Sequence, residues 1–304
     1  MNTLVTGGAG FIGSNLVQRL VSDGHQVTVV DNLSTGKREN LPAGQAGLHK
    51  NAEFFELDIS DLDAIKPTFE GKDIVFHVAA LPRLTRSIED PASTFKSNVT
   101  GTLNVLLAAR DAGVKRVVYS ASSSAYGFQD KLPLCETMPP KPLNPYGLSK
   151  YVGEELCREF TNFYGLDTIS LRYFNVYGPR MDMEGDYATV IGKFLRLKSS
   201  GQPLTIIGDG KQTRDFTNVD DVVRANILAS QVDKGGGEVI NIGAGDNHSV
   251  QEIADLIGGG HVYIPERPGE VRDTLADISK AKRILGWEPK VSLKDGINQL
   301  MTNV

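Results

Sequence analysis

The chain has 304 residues, 40% of them hydrophobic and 23% charged, with a formal net charge of -5. That length buries about 75% of the unfolded surface, enough for one large domain or two coupled ones of ordinary globular composition. The acidic balance, with no long basic run, argues against nucleic acid or an anionic membrane as main partner; no apolar run approaches about 18 residues and the N-terminus does not resemble a leader, which predicts no membrane span, no signal peptide and the cytoplasm as default location.

In chain order, "TLVTG" (3–7) reads as a strand and "FIGSNLVQRLVSDG" as a helix ending at Gly24. The join, "VTGGAGFIGSNL", places Gly7, Gly8, Gly10 and Gly13 at both GxxGxxG and GxGxxG spacings, after a strand and at a helix start. Missing side chains let the backbone turn tightly against a pyrophosphate, and the helix N-terminus offers it N–H groups and partial positive charge. "QVTVVD" is the next strand. It ends at Asp31, an acid placed to accept from the adenosine ribose hydroxyls and to repel a 2′-phosphate, which favours NAD over NADP. "AEFFELD" ends at Asp58, either a partner for the adenine amino group or a cap for a helix starting near Ser60. "KDIVFHVAA" (72–80) ends in small residues at a strand lip, where a cofactor can pass. "PASTFKSNVTGTLNVLLAARDAG" reads as one long helix on which Asn98 bridges strands or captures a loop.

"KRVVYSAS" (115–122) is a strand, 145–164 a helix opened by Asn144 and Pro145, and "DTISLRYFNVYG" a strand running into a loop. Strands alternating with helices of this length predict an α/β fold: a Rossmann-type, doubly wound parallel sheet whose apolar runs are buried on both faces. After Gly178 come a Met/Asp/Gly-rich loop and a helix, then a turn at "GDG", a strand and a helix through "DDVVRANILAS". A Gly turn and strand at 235–245 follow, then a short helix in "SVQEIADLIGGG", an extended "ERPGEVRDTLAD" and a helix closed by Gly286. We read a cofactor domain over 1–175 plus about 214–243, and a smaller α/β substrate domain over about 176–213 and 244–304. Cys135 and Cys157 read as reduced thiols. His25, His49, His77, His248 and His261 lack metal-ligand spacing, so no metal is expected.

"YSASSSAYG" (119–127) ends a strand, where ligands of parallel sheets bind. Tyr146 and Lys150 follow one turn apart on the next helix. A phenol is a poor base at neutral pH, but a nearby ammonium and an oxidised nicotinamide favour the phenolate. Tyr146 then takes a proton from a substrate hydroxyl, Ser122 hydrogen-bonds the same oxygen, and Lys150 also reaches the nicotinamide ribose. A Tyr and a Lys at this spacing are common on helix surfaces; the glycine loop, Asp31 and the serine strand end make a catalytic set of them here.

With these residues the chain resembles the extended short-chain dehydrogenase/reductase family over nearly its whole length. Within it, the chain is similar to the NAD-dependent nucleotide-sugar epimerases, the UDP-glucose 4-epimerase group and its UDP-N-acetylglucosamine branch. The shared stretches are "TGGAGFIGS", "VVDNLSTG", "HVAA", "NVTGTLNVL", "SSSAYG", "YGLSK", "RYFNVYGPR", "RDFTNVDD" and "RPGEVR". The resemblance implies NAD against Gly7, Gly10, Phe11, Ile12 and Gly13, with Asp31, Asn32, Ser34, Thr35 and Gly36 around the adenosine ribose. It puts Asp58 and Ile59 at the adenine, Ala79, Ala80, Asn98 and Ser120 along the rest of the cofactor, and Phe174 at the nicotinamide. It makes Ser122, Tyr146 and Lys150 catalytic. It implies a UDP-sugar held by Ser122, Ser123, Ser124 and Asn175, by Ala188, Val190 and Lys193 of "DYATVIGKF", by Arg214 and Arg267 on the diphosphate or uridine ribose, by Glu270 on that ribose, and bounded at C2 by Thr274.

Two departures sharpen the expectation. Family dehydratases and decarboxylases carry an acid before the "YG", whereas Ser123, Ser124 and Ala125 stand here, which favours epimerisation through a transient 4-keto sugar. A small Thr274, where a bulky Tyr accompanies glucose/galactose specificity, leaves room for an N-acetyl group. UDP-glucuronate, a dehydratase or decarboxylase, and a non-catalytic NAD-binding sensor stay open as alternatives. The family also implies a homodimer packed through 91–112 and 145–164, and "TGTLNVLLAARDAG" is apolar around most of its circumference.

Overall fold

The computed structural model describes residues 1–44, 47–82, 84–183, 189–265 and 271–302. Among them, seven parallel strands form one sheet. In chain order these are β1 (Asn2–Thr6), β2 (Gln26–Asp31), β3 (Ala52–Glu56), β4 (Ile74–His77), β5 (Arg116–Ser122), β6 (Asp167–Tyr173) and, later, β11 (Glu238–Ile242). They lie in the order β3-β2-β1-β4-β5-β6-β11, so successive strands run outward from β1 first one way and then the other. The order reverses between β1 and β4, where Thr6 pairs with Val30 on one side and His77 on the other. An open parallel sheet binds ligands in the crevice at such a switch point.

The predicted strands fall within a few residues of these bounds because each is a short apolar run, most of them closed by Gly or Asp and two by small residues. Helix α1 (Phe11–Ser22) follows the glycine loop. The long helix expected over 91–113 is broken into α2 (Pro91–Phe95), a π-helical turn (Lys96–Thr100) and α3 (Gly101–Asp111). Tertiary hydrogen bonds cause the break. Asn98 is buried, its amide nitrogen donating to Leu81 O (3.1 Å) and Ser149 Oγ (3.0 Å) while its oxygen accepts from Leu81 N (2.8 Å). Helix α4 (Pro145–Tyr164) has the bounds expected. Asn144 caps it by accepting from Gly147 N (2.8 Å), and Gly165 ends it with φ +68°.

Beyond β6 lie β7 (Val176–Tyr177), α5 (Val190–Ser199), β8 (Leu204–Ile207), β9 (Thr213–Arg214), β10 (Thr217–Asn218) and α6 (Val219–Gln231). After β11 come β12 (His248–Ser249), α7 (Val250–Ile257), β13 (His261–Ile264), α8 (Ser279–Leu285) and α9 (Leu293–Thr302). Several of these were unexpected, β8, β12, β13 and α9 among them. β13 is exposed along most of its length and exists through parallel pairing with β8, a distant contact no local pattern reveals. α9 had a readable signal, Ser292 accepting from Asp295 N and Leu293, Ile297 and Leu300 spaced along one buried face, but Gly296 interrupts the helical pattern.

Apolar side chains bury on both faces of the main sheet. One cluster joins β1, β2 and β6 to α1 and α6, and the other joins β4 and β5 to α3 and α4. A separate cluster unites α5, α7 and α9 with β8. No helix among the described residues is long and apolar enough to cross a membrane.

Candidate functional site

At the carboxyl end of β1 the chain turns so tightly that side chains are excluded. Gly7 has φ +69°, and a Cβ there would lie 2.6 Å from the Ala79 backbone. A Cβ on Gly13 would lie 2.1 Å from Gly7 O. Gly10 caps α1 and has no side chain to satisfy the first helical N–H groups, which leaves them for an anion. Asp31, at the end of β2, is buried. Its carboxylate accepts from Ala9 N (2.9 Å) and Leu33 N (2.8 Å), so one acid ties the glycine loop to the loop after β2. Burial pushes its carboxyl up, against those N–H bonds. A carboxylate can accept about four hydrogen bonds, so acceptor capacity remains on it for a hydroxyl donor.

The loop after β2 is built around the same acid. A Cβ on Gly36 would come 3.0 Å from Asp31 Oδ2. Leu33 sits left-handed at φ +56°, and Ser34 N donates to Asn32 Oδ1 (3.1 Å). Thr35 lies in the same loop. Asn32 Nδ2 donates to Asp58 Oδ2 (2.9 Å), and Asp58 Oδ1 accepts from Ser60 N (2.8 Å). The helix after it is capped by Asp61, so Asp58 does not cap it as one reading had it. Ile59 packs under Gly101, and its carbonyl accepts from Asn104. Phe11 and Ile12 open α1 and are half-buried.

At the lip of β4, Ala79 N donates to Thr6 Oγ1 (3.3 Å). Thr6 Oγ1 lies 2.8 Å from His77 Nδ1, and His77 Nε2 lies 2.9 Å from Thr102 Oγ1. Burial, and next the Lys150 charge, push His77 down to about 3. Ala80 and Asn98 complete this wall, Asn98 by fixing the Leu81 backbone.

The other wall holds the Ser–Tyr–Lys set. Lys150 is buried, donates from Nζ to Ser120 O (2.7 Å) and lies 5.0 Å from the Tyr119 ring centroid. Burial drives its ammonium down to about 8, and Glu154, one turn further along α4, opposes this. Ser120 Oγ meets Tyr173 OH at 3.0 Å. Ser122 Oγ accepts from Ser124 N (3.2 Å), which folds Ser122, Ser123 and Ser124 into one turn. The start of α4 rests on that turn, since a Cβ on Gly147 would meet Ser124 O at 2.7 Å. Tyr146 stands next to Gly147 on that first turn and is half-buried, and Lys150 follows one turn further along the helix.

Phe174 is fully buried, packed on Tyr126 with ring centroids 6.3 Å apart. Asn175 follows with φ +26°. Its Nδ2 donates to Asp215 O (2.9 Å) and Thr274 Oγ1 (3.4 Å), joining three of the predicted substrate segments. Arg214 donates to Arg272 O (2.7 Å). Val190 and Lys193 lie on the first turn of α5. Ala188, Arg267 and Glu270 fall outside the described residues.

Sequence reading missed three features. Arg180 is exposed and left-handed at φ +67°, a strained backbone of the kind found at binding loops; its signal was the "GPR" after β7. Glu154 and Arg172 form a fully buried bidentate pair at 2.8 and 2.6 Å, a pairing between helix and strand that helical spacing does not reveal. Asp215 is the third, and no local signal marks it.

A family model described as "NAD dependent epimerase/dehydratase family" matches residues 3–243. The UDP-glucose 4-epimerase of Mycolicibacterium smegmatis is 40% identical over 305 residues, covering 98% of this chain and 96% of that protein. The crystal structure of the Thermotoga maritima UDP-glucose 4-epimerase with UDP-glucose superposes with a TM-score of 0.93 at 42% identity, covering 99% of this chain and 98% of that one. The Methanobrevibacter ruminantium UDP-N-acetylglucosamine 4-epimerase, in complex with UDP-N-acetylmuramic acid, gives 0.93 at 35% identity over 100% of this chain and 99% of that one. A glycine loop that excludes side chains, a buried acid behind it and a Rossmann strand order fit the dinucleotide this family uses. The chain belongs to the NAD-dependent epimerase/dehydratase family, and it is an enzyme whose cofactor is NAD.

Proposed function

We propose that the chain interconverts UDP-hexoses at C4′ through a transient 4-keto sugar. The observation that carries this reading is the packing of the α4 start on the Ser122–Ser124 turn with Lys150 buried against Ser120, at the same carboxyl edge of the parallel sheet as the glycine loop. In this reading Tyr146 takes the proton from O4′, held by Ser122, and returns it after the keto sugar has turned over about its diphosphate link. Lys150 keeps the phenolate accessible by its charge. NAD, when bound, would supply the hydride acceptor and donor that chemistry at C4′ needs. Asn175, Lys193, Arg214, Arg267 and Glu270 hold the UDP, with Arg forks suited to a pyrophosphate. Ser123, Ser124, Ala188, Val190 and Thr274 bound the sugar, and the small Thr274 admits an N-acetyl group at C2. The same reading divides the chain into an NAD-binding part, 1–175 with 214–243, and a sugar-nucleotide part. It sets aside a dehydratase, since no acid stands at 123–125 to drive loss of water.

The test is incubation with a panel of UDP-hexoses, N-acetylhexosamines and uronates, products read by NMR and mass. Epimers of unchanged mass are expected without added NAD; a product lighter by water or carbon dioxide, or no product from protein that binds NAD, overturns the reading. Tyr146→Phe is expected to lower kcat at least about 10²-fold, and near-normal turnover would remove Tyr146 from the role of base.

A further inference from the structure

Asp215 follows Arg214 at the end of β9 and is fully buried. Its carboxylate accepts three main-chain N–H groups, from Ala244 (2.6 Å), Gly245 (3.0 Å) and Ala276 (3.0 Å). Its own N–H donates to Thr274 Oγ1 (3.3 Å), and its carbonyl accepts from Asn175 Nδ2 (2.9 Å). Five hydrogen bonds at one residue thus join the loop after β6, the end of β9, the turn after β11 and the segment carrying Thr274. The packing leaves no slack: a Cβ on Gly243 would meet Ala276 Cβ at 2.4 Å and Asp215 Oδ2 at 2.9 Å.

We infer that Asp215 is a positioning residue for the sugar nucleotide, setting through its buried carboxylate where Asn175, Thr274 and Arg214 meet the ligand. The inference rests on the UDP-hexose reading above. β6 and β11 are neighbouring strands of the main sheet, so the carboxylate anchors the sugar-facing segments to the rigid part of the molecule. An anion suits the task because its two oxygens accept from all three N–H groups, whereas an amide would turn NH₂ toward at least one of them. Burial drives the carboxyl up to about 6, and the three N–H bonds oppose that rise.

Asp215→Asn is the direct test, with Gly243→Ala as a second variant that disturbs the same junction from outside. Steady-state kinetics on the UDP-hexose that the wild type turns over, calorimetric titration with UDP and the bound NAD content are measured together. The expected result is a KM raised at least about tenfold for Asp215→Asn and about threefold for Gly243→Ala, with kcat within about threefold and NAD content unchanged. The Kd for UDP is expected to rise with KM. If either folded variant keeps KM and Kd within about twofold of wild type, the inference is wrong. If both variants lose NAD or fail to fold, Asp215 is a folding residue and the inference is equally wrong. Wild-type protein that binds UDP but turns over no UDP-hexose overturns the functional reading instead, and the UDP titration then still decides the role of Asp215.

Discussion

Lys150 keeps its charge in a place where a lone ammonium would shed it. Glu154 and Cys157 face it from its own helix, the Tyr119 ring from β5 and the neutral His77 from β4, while Arg172 on β6 is committed to Glu154. The one acid in that set is Glu154; burial pushes its carboxyl up, and its two charge-assisted bonds from Arg172 oppose that rise. Lys150 is a cation whose pKa is already depressed to about 8, so the ammonium is present below that pH and lost as pH rises through it. In Glu154→Gln the opposing charge is gone and the loss comes earlier. The alkaline limb of the kcat profile is expected to move down by at least about one pH unit with bound NAD retained; an unmoved limb with normal turnover would show that Glu154 only packs. At this scale much of the site was legible. Tyr146, Lys150, Asp31 and the glycines are marked by spacing and by their place at strand ends. Asp215 was not, because its partners are three main-chain N–H groups far along the chain, and a lone Asp beside an Arg looks the same whatever it binds.

Among the elements, the strand–glycine–helix unit at the N-terminus is the least tolerant. Its geometry is a set of close approaches, so a single methyl is enough to separate a functional glycine from a permissive one. Gly13→Ala places its Cβ against Gly7 O, whereas Gly260→Ala meets nothing within 4 Å. The first is expected to weaken NAD retention by at least about tenfold, the second to leave it unchanged, as read from cofactor content after gel filtration. Equal retention in both would mean that the loop relaxes around the methyl. Local sequence carried the strands and the ends of α4, where Asn144, Pro145 and Gly165 supply cap, first turn and stop. It failed where tertiary bonds override helical periodicity, at the π turn around Asn98, and where pairing alone makes the element, at β13.

At the scale of the whole molecule, two outer helices present apolar side chains to solvent. α3 and α4 pack on one another, and they leave Leu103, Leu148, Phe163 and Tyr164 in solvent. Single exposed leucines are ordinary, but four large apolar side chains on two adjoining helices suit a partner surface. The homodimer implied by the sequence would use these helices. Light scattering at micromolar concentration is expected to give twice the 32.9 kDa chain mass, falling to one chain when Leu103 and Leu148 are both changed to Glu. A monomeric wild type would refute the dimer.

The buried chain from Ala79 to Asn98 has a consequence of its own. Thr102 owns a single hydroxyl proton and gives it to Asn98 O (2.6 Å). Its oxygen must therefore receive the His77 Nε2 proton. The neutral ring is left with a bare lone pair at Nδ1, which takes the proton of Thr6, and Thr6 in turn receives from Ala79 N. Every link points the same way, so only one tautomer of His77 completes the chain. To reverse it, several protons would have to shift together, and the Ala79 N–H has nowhere else to turn. The backbone at Ala79 and the π turn are therefore latched by a wire of fixed polarity, unchanged at any pH above the His77 value of about 3.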